Sequence, residues 1–473
     1  MGTINAALSM MSGALDADQQ ALNVVANNVA NANTPGYTVE KPDWRENQPL
    51  TIGGISYGQG VTETGATSQR DRVLEGRLDQ QKQMASASAS RLTALNTLQS
   101  LFSPDSGSSS SKAGDIGSDI TNFFDSFSSL EANPTDNALR QNVLSTAGTL
   151  ASDISNAAAS LNSQREALDQ ETAGVTSQVN ALTSAIAQLN QQIMTNSPNG
   201  DAGTLEDQRQ QDLSQLSQLI GINQITTENN GLAITTTSGQ LLLSEGTSYQ
   251  LTTGMAKGMT DFFLGGTDIT SQLASGGGSL GGELTARDED IPGVLQSLDQ
   301  LAYSISTAVN TQNNSGTTLN GATGSAANPI YIFKQPTVVE GSAAAMSVVM
   351  TDPNDVAAAG AGDGTGDNSN AVVMASMARQ GIVKGQSPTN FYSNFVATLG
   401  SKVSTVQTEN TAQNAAVTQL QTQRDALSGV NLNDEASALT TLERSYQAAS
   451  QVFAILNTLM SSALNLGEQS TVS

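Results

Sequence analysis

The chain has 473 residues, with 19 Lys and Arg against 43 Asp and Glu, a formal charge of -24, and neither Cys nor His. That excludes disulfides, thiolate zinc sites, Cys nucleophiles, Ser-His-Asp triads and His-ligated metals, and it argues against nucleic-acid and anionic-membrane partners, which need basic patches. Aromatics are only 4%, which suits Ala- and Leu-seamed helices better than a cofactor pocket, so no cofactor is expected.

The first 30 residues carry a heptad seam. Ile4, Leu8, Met11, Leu15, Asp18, Leu22, Val25 and Val29 are spaced by alternating fours and threes, with only Asp18 polar, which predicts one apolar face on a helix. The helix should stop before Asn33-Thr34-Pro35-Gly36-Tyr37, because Pro disfavours helix at the preceding residue and Pro-Gly is turn chemistry. This end has neither a basic region nor a long apolar run, so no Sec-type signal is expected, and no stretch of ~18 apolar residues predicts a membrane span.

Helical patterns follow over 67–102 and 116–130. Residues 137–194 hold no Pro and only Gly148 and Gly174; an unbroken helix there would be about 87 Å long, which predicts a rod-like bundle. Ser103–Gly114 reads as a flexible loop. Further helices are predicted over 204–220, 291–312, 371–382 and 390–428. Residues 222–252 alternate β-branched and polar side chains around turn signals at Asn229-Asn230-Gly231 and Ser238-Gly239, which predicts a small antiparallel unit. Residues 330–350 read as further strands, and Ser275–Gly282 as a Gly-rich linker. The C-terminal stretch mirrors the first: Leu439, Leu442, Tyr446, Ala449, Phe453, Leu456, Met460 and Ala463 form a second seam, widened by Val452, Ile455 and Leu459. Both terminal helices are too thinly apolar to be stable alone, and the wide stripe suits more than one neighbour.

Catalytic patterns are weak. Asp105-Ser106-Gly107 lacks the second carboxylate that aspartic-protease chemistry requires. Asp363-Gly364-Thr365-Gly366-Asp367-Asn368 offers oxygen ligands but no EF-hand spacing, and reads as a solvated loop. Gly276–Gly282 lacks the Lys-Ser/Thr of a phosphate loop. A carboxylate pair brought together only in space would escape such a scan, but the residues give no reason to expect an enzyme.

Asn27-Asn28-Val29-Ala30-Asn31-Ala32-Asn33-Thr34-Pro35-Gly36-Tyr37 resembles the N-terminal signature of the bacterial flagellar rod, hook and hook-associated proteins, and Tyr446-Gln447-Ala448-Ala449 with its apolar run resembles their C-terminal one. Three internal blocks look like the hook-associated members at the hook–filament junction. They contain Phe123, Phe124, Asn133, Pro134, Arg140 and Leu144; Asp207, Gln208, Arg209 and Leu213; and Gly282, Leu284, Arg287, Asp288 and Asn310. Thr38-Val39-Glu40-Lys41 departs from the Ser-Arg-like pair expected after the Gly-Tyr, and the β portion looks compact.

The expected fold is mainly α with β insertions: an elongated multi-helix bundle or coiled coil built from both ends of the chain, carrying a small inserted antiparallel β domain. A terminal axial domain, a helical coiled coil whose ends the resemblance implies are mobile in the free subunit and helical on assembly, would comprise 1–66 with 434–473. A long-helix bundle would comprise 67–221 with 283–328 and 353–433, and a β-rich outer part 222–282 with 329–352. The resemblance implies a structural adaptor exported through the flagellar type III apparatus without a cleaved signal. It would be extracellular, lodged between hook and filament. Its partners would be its own copies, hook protein, a second junction protein and a cytoplasmic export chaperone. The implied signature residues are Asn27, Asn28, Asn31, Asn33, Thr34, Pro35, Gly36 and Tyr37, and subunits would meet along the two seams. Another flagellar axial protein (hook, rod or second junction protein), a coiled-coil surface adhesin and an acidic hydrolase are the competing readings.

Overall fold

The computed structural model describes residues 2–52, 54–102, 115–197, 201–256 and 258–469. Asp105-Ser106-Gly107 and the whole of the loop expected at Ser103–Gly114 lie outside them. The chain is mainly helical, with small antiparallel sheets. It forms two compact units: residues 1–83, 177–251 and 414–473 make the first, and 84–176 with 252–413 the second.

In the first unit, α1 (Gly2–Ala30) is followed by β1 (Glu40–Glu46), β2 (Leu50–Ile52), β3 (Ile55–Tyr57) and β4 (Val61–Ser68). β1 pairs antiparallel with β4 from Glu40↔Ser68 to Glu46↔Val61, with a register shift at Asp43/Trp44, and β2–β3 forms the tip. In the sequence, the dipeptide Gly53-Gly54 between these two segments is a two-residue hairpin signal. Strands are not expected in 1–66 from the sequence; their faces are largely exposed, so hydrophobic alternation does not mark them.

Two long helices cross the unit boundaries, α2 (Arg72–Leu101) and α4 (Asn137–Asn196); between them lies α3 (Ile116–Ala132) of the second unit. The first unit continues with α5 (Thr204–Leu219) and a four-stranded meander of β5 (Ile222–Thr226), β6 (Leu232–Thr236), β7 (Leu241–Ser244) and β8 (Thr247–Ser248). The buried Asn190 amide of α4 donates to the carbonyls of Leu232 and Glu245, both at 2.9 Å, fixing the meander on the helix.

The second unit contains a three-stranded sheet of β9 (Leu251–Ala256), β10 (Met259–Leu264) and β11 (Thr267–Asp268). Next come α6 (Thr270–Gly276) and α7 (Gly278–Thr285), where a linker was expected. The glycines serve close approach rather than flexibility: a Cβ on Gly282 would lie 2.1 Å from the Ala87 carbonyl oxygen of α2. One π turn, Ala286–Asp290, leads into α8 (Ile291–Ser315). The remaining helices are α9 (Ser369–Ser376), α10 (Pro388–Ser428), which crosses back to the first unit, and α11 (Leu432–Gln469).

The core of the second unit joins α3, α4, α8 and α9. Phe123 packs against Phe127 and Phe333 with ring centroids 5.4 Å apart in each case. Strands expected at 330–350 do not form; the segment shows only an isolated bridge between Phe333 and Val348. Side chains of α8 take the place of a neighbouring strand. Asn310 Oδ1 accepts from the amides of Ile332 (3.1 Å) and Phe333 (2.9 Å), and its Nδ2 donates to the Phe333 carbonyl (2.8 Å). Asn313 likewise accepts from Ala357 and donates to Ile330, and Asp299 accepts from Gly341 and Ala343. Buried backbone groups need partners, and here carboxamides and a carboxylate supply them.

Replacing Asn310 by Ala strands several of these buried groups. Urea denaturation should show a loss of about 2–4 kcal/mol for Asn310→Ala, against a change within about 0.5 kcal/mol for Thr411→Ala on the exposed face of α10.

Candidate functional site: the paired terminal helices and their anchor

α1 and α11 lie against each other. Asn28 meets Glu435, while Ala21 and Val25 cluster with Leu442, so the pair is antiparallel. The seam is thin. Of the seam residues, only Val25 and Leu442 are buried, helped by Ala17 and Ala21. Ile4, Leu8, Met11, Leu15, Leu22, Ala449, Phe453, Leu456 and Met460 are half-buried. Val29, Leu439 and Tyr446 are exposed, as are Val452, Ile455 at 60% and Leu459.

The base of this pair is fixed by one buried side chain. Asn28 Nδ2 donates to the Glu40 carbonyl (2.8 Å) and to Glu435 Oε2 (3.1 Å); its Oδ1 accepts from Tyr37 Oη (2.8 Å) and from the Glu40 amide (3.0 Å). α1, the loop after it, β1 and α11 therefore converge on a single carboxamide. Burial, with Glu40, Asp207 and Glu435 nearby, holds the Tyr37 hydroxyl protonated well above its usual range. Asn27 donates to Tyr37 Oη at 3.4 Å, Asn31 donates to the Asn27 carbonyl at 3.0 Å, and Thr34 Oγ1 donates to Asn31 Oδ1 at 3.2 Å. Gly36 has φ +84°, a conformation that only Gly adopts without strain, and its carbonyl accepts from Arg424 Nη2 at 2.7 Å. Asn33, Thr34, Pro35 and Gly36 are exposed and line an open cavity of about 590 Å³.

Below this knot lies a buried ionic cluster. Arg70 pairs with Asp207 and sits 3.9 Å from Glu75; Arg424 Nε is 4.0 Å from Glu75, and Asp207 also accepts from the Thr38 amide. Burial pushes the Glu75 carboxyl up to about 7; Arg70 and Arg424 pull it down, and Asp79 and Asp207 push it further up.

The three internal blocks supply structural pins. Arg140, 1% exposed, donates to the carbonyls of Pro134 and Val356. Arg209 Nη1 donates to Asn190 Oδ1 at 2.8 Å, and Arg287 bridges Asp169 and the Thr260 carbonyl. Asp367 accepts from the Gly360 amide and from both the amide and hydroxyl of Ser369, so this carboxylate organises its own loop. No acidic group of three or more that could hold a metal exists among the described residues.

The hairpin carries exposed apolar surface that the periodicity of the sequence does not mark. Trp44, Leu50, Ile55, Tyr57 and Val61 are all exposed on it, and it packs beside α1, where Met10 Cγ would lie 2.9 Å from a Cβ at Gly60. The Gly-Gly dipeptide between Leu50-Thr51-Ile52 and Ile55-Ser56-Tyr57 is the sequence signal that marks it.

Comparison with known proteins agrees with this construction. Residues 95–327 match the flagellar hook-associated protein FlgK helical domain, 8–38 the flagella basal body rod protein, and 422–466 the flagellar basal body rod FlgEFG protein C-terminal region. Flagellar hook-associated protein 1 of Escherichia coli K12 is 25% identical over 551 residues, covering 96% of this chain and 98% of the relative. Its Bacillus subtilis 168 counterpart is 25% identical over 506 residues, covering 96% of each chain. The solved flagellar hook junction protein FlgK from Burkholderia pseudomallei shares the fold with a TM-score of 0.63 at 17% identity, over 74% of this chain and 99% of that one.

Helical ends joined through a rod-type signature define a structural, axial protein of the bacterial flagellum. The chain belongs to the flagellar hook-associated protein 1 family. That family is structural rather than enzymatic, and it implies assembly with hook and filament components of the extracellular flagellum. No described helix is long and apolar enough to cross a membrane.

Two outcomes follow from the anchor. Asn28→Ala should leave the second unit intact but speed amide exchange in α1 and α11 by about tenfold or more, as one to two kcal/mol of local protection is lost. For Glu75, the folded carboxyl titrates above the unfolded one, so its contribution to stability falls as pH rises from about 4.5 to about 7. Glu75→Gln should therefore melt a few degrees above the parent at pH 8 and level with it at pH 4.5, read by circular dichroism.

Proposed function

We propose that this chain is the adaptor at the hook–filament junction, polymerising axially through α1 and α11 between hook protein on one side and a second junction protein on the other. The observation that carries the reading is the apolar surface left on α11 after α1 is paired. At 100° per residue, Tyr446, Leu439 and Leu432 lie about 40–80° to one side of Leu442, and Val452, Leu459 and Ile455 about 80–140° to the other. Leu432, Leu439, Val452, Ile455 and Leu459 are all exposed. Two different flanks call for two different neighbours, and head-to-tail contacts of that kind build tubes rather than closed dimers. Val29, the other seam residues and the exposed hairpin side chains would add to the same interfaces.

The thin α1–α11 seam suits a subunit that waits for neighbours. Burying a large side chain contributes about 1.5–3 kcal/mol, while ordering each residue costs about 1–2 kcal/mol; a pair with so few buried positions gains most of its burial only on assembly. Type III export without a cleaved signal, and a cytoplasmic chaperone covering the apolar ends until export, fit that behaviour. The charge of -24 keeps the exported subunit soluble.

A deletion strain should build hooks without filaments and shed flagellin into the medium. The parent gene should restore filaments. Ile455→Asp with Leu459→Asp, both solvent-facing in the isolated subunit, should leave the monomer's melting unchanged yet fail to restore them. Normal filaments in the deletion strain would reject the reading.

A further inference from the structure

A second surface of the first unit concentrates positive charge in a chain that is strongly acidic. Arg70, Arg72, Arg77 and Arg209 line one cavity of about 340 Å³ between the start of α2, α5 and the meander, with Glu75 and Glu206 the only carboxylates in its wall among the described residues. The guanidinium groups have donors to spare. The Arg70 side chain is buried; its Nε makes no hydrogen bond, though it lies 3.9 Å from Glu75 and 4.0 Å from Glu206. Arg72 reaches Glu206 through Nη2 alone, at 3.0 and 3.1 Å, and half of its side chain is exposed. Arg77 is exposed and has no hydrogen bond or ion pair among the described residues. At the rim stands Val73, 75% exposed.

We propose that this cavity receives a carboxylate side chain from a second copy of the chain. Forked guanidinium donors match a carboxylate geometrically. A neighbouring copy docked here would also cover the exposed Val73, which a small anion would not. The chain carries 43 Asp and Glu against 19 Lys and Arg, so an exposed carboxylate is the commonest charged group a neighbouring copy can offer, and copies of charge -24 need a complementary contact to pack side by side. The inference rests on the polymerising reading above but uses a different surface, one that would set which faces meet.

The test uses the full chain in assembled flagella. A photoreactive phenylalanine analogue replaces Val73 in one strain and Ile455 in another. The Val73 probe should yield an adduct of two copies. Arg72→Glu with Arg77→Glu should cut its yield about tenfold, as expected for losing one charge-assisted contact, and Arg77→Lys should keep most of it. Arg77→Glu alone, which breaks no internal bond, should lower the yield in the same direction and guards against misfolding of the double variant. An adduct only with another protein, no two-copy adduct, or a yield indifferent to these charges overturns the proposal. So does stoichiometric binding of inorganic phosphate by the isolated chain, abolished by the same substitutions, without a two-copy adduct. If the Ile455 probe joins copies while the Val73 probe does not, this inference alone fails; if neither does, the polymerising reading fails as well.

Discussion

The buried carboxamide of Asn28 holds the two ends of the chain in one register. It spends both hydrogens and both lone-pair directions on α1's own exit loop, β1 and α11. A hydrophobic contact at that point would tolerate sliding; four directional bonds in a desolvated site do not. The turn at Pro35-Gly36 returns Tyr37 to this amide, and Arg424 holds the same loop from α10. A signature that reads as a run of polar residues is thus the hinge pin of the terminal pair.

Above the pin the design inverts. The α1–α11 seam is built partly from Ala17 and Ala21, which let the helices approach but bury little, while larger side chains at Ile455, Leu459 and Val452 face outward. A subunit with a self-sufficient seam would have no reason to polymerise; one with no seam would expose two disordered greasy tails. The pair lies between these limits, with register set by polar bonds, most seam side chains half-buried, and Val452, Ile455 and Leu459 exposed.

The interior of each unit is organised by polar side chains that act in place of backbone. Asn310, Asn313 and Asp299 give 330–357 the pairing that a sheet would otherwise provide, and Asn190 does the same for the meander. Arg140 and Arg287 are almost wholly buried and end on carbonyls or carboxylates. Arg140, Arg287 and Asn310 belong to the internal blocks singled out in the sequence, and each makes bonds that the packed fold needs. Side chains at such sites have few substitutes, because an unpaired buried carbonyl or charge is costly.

Helix positions were legible in the sequence because the 3.6-residue repeat is a local property: the stretches 137–194, 390–428 and both ends read correctly as helices without knowledge of any neighbour. The absence of Cys and His settled much of the missing chemistry in the same way. What could not be read depends on partners distant in the chain. Whether 330–350 pairs as strands was decided by the amides of α8, whether 275–282 bends as a linker or coils as helix by the approach of α2, and the hairpin over 40–68 by its place beside α1 rather than by alternation. Asn28 and Glu435 are separated by 407 positions, and the arginines of the cavity come from two segments more than a hundred residues apart. Periodicity records which face of an element is apolar; only the packed chain decides which of those faces is covered and which is left for a neighbour.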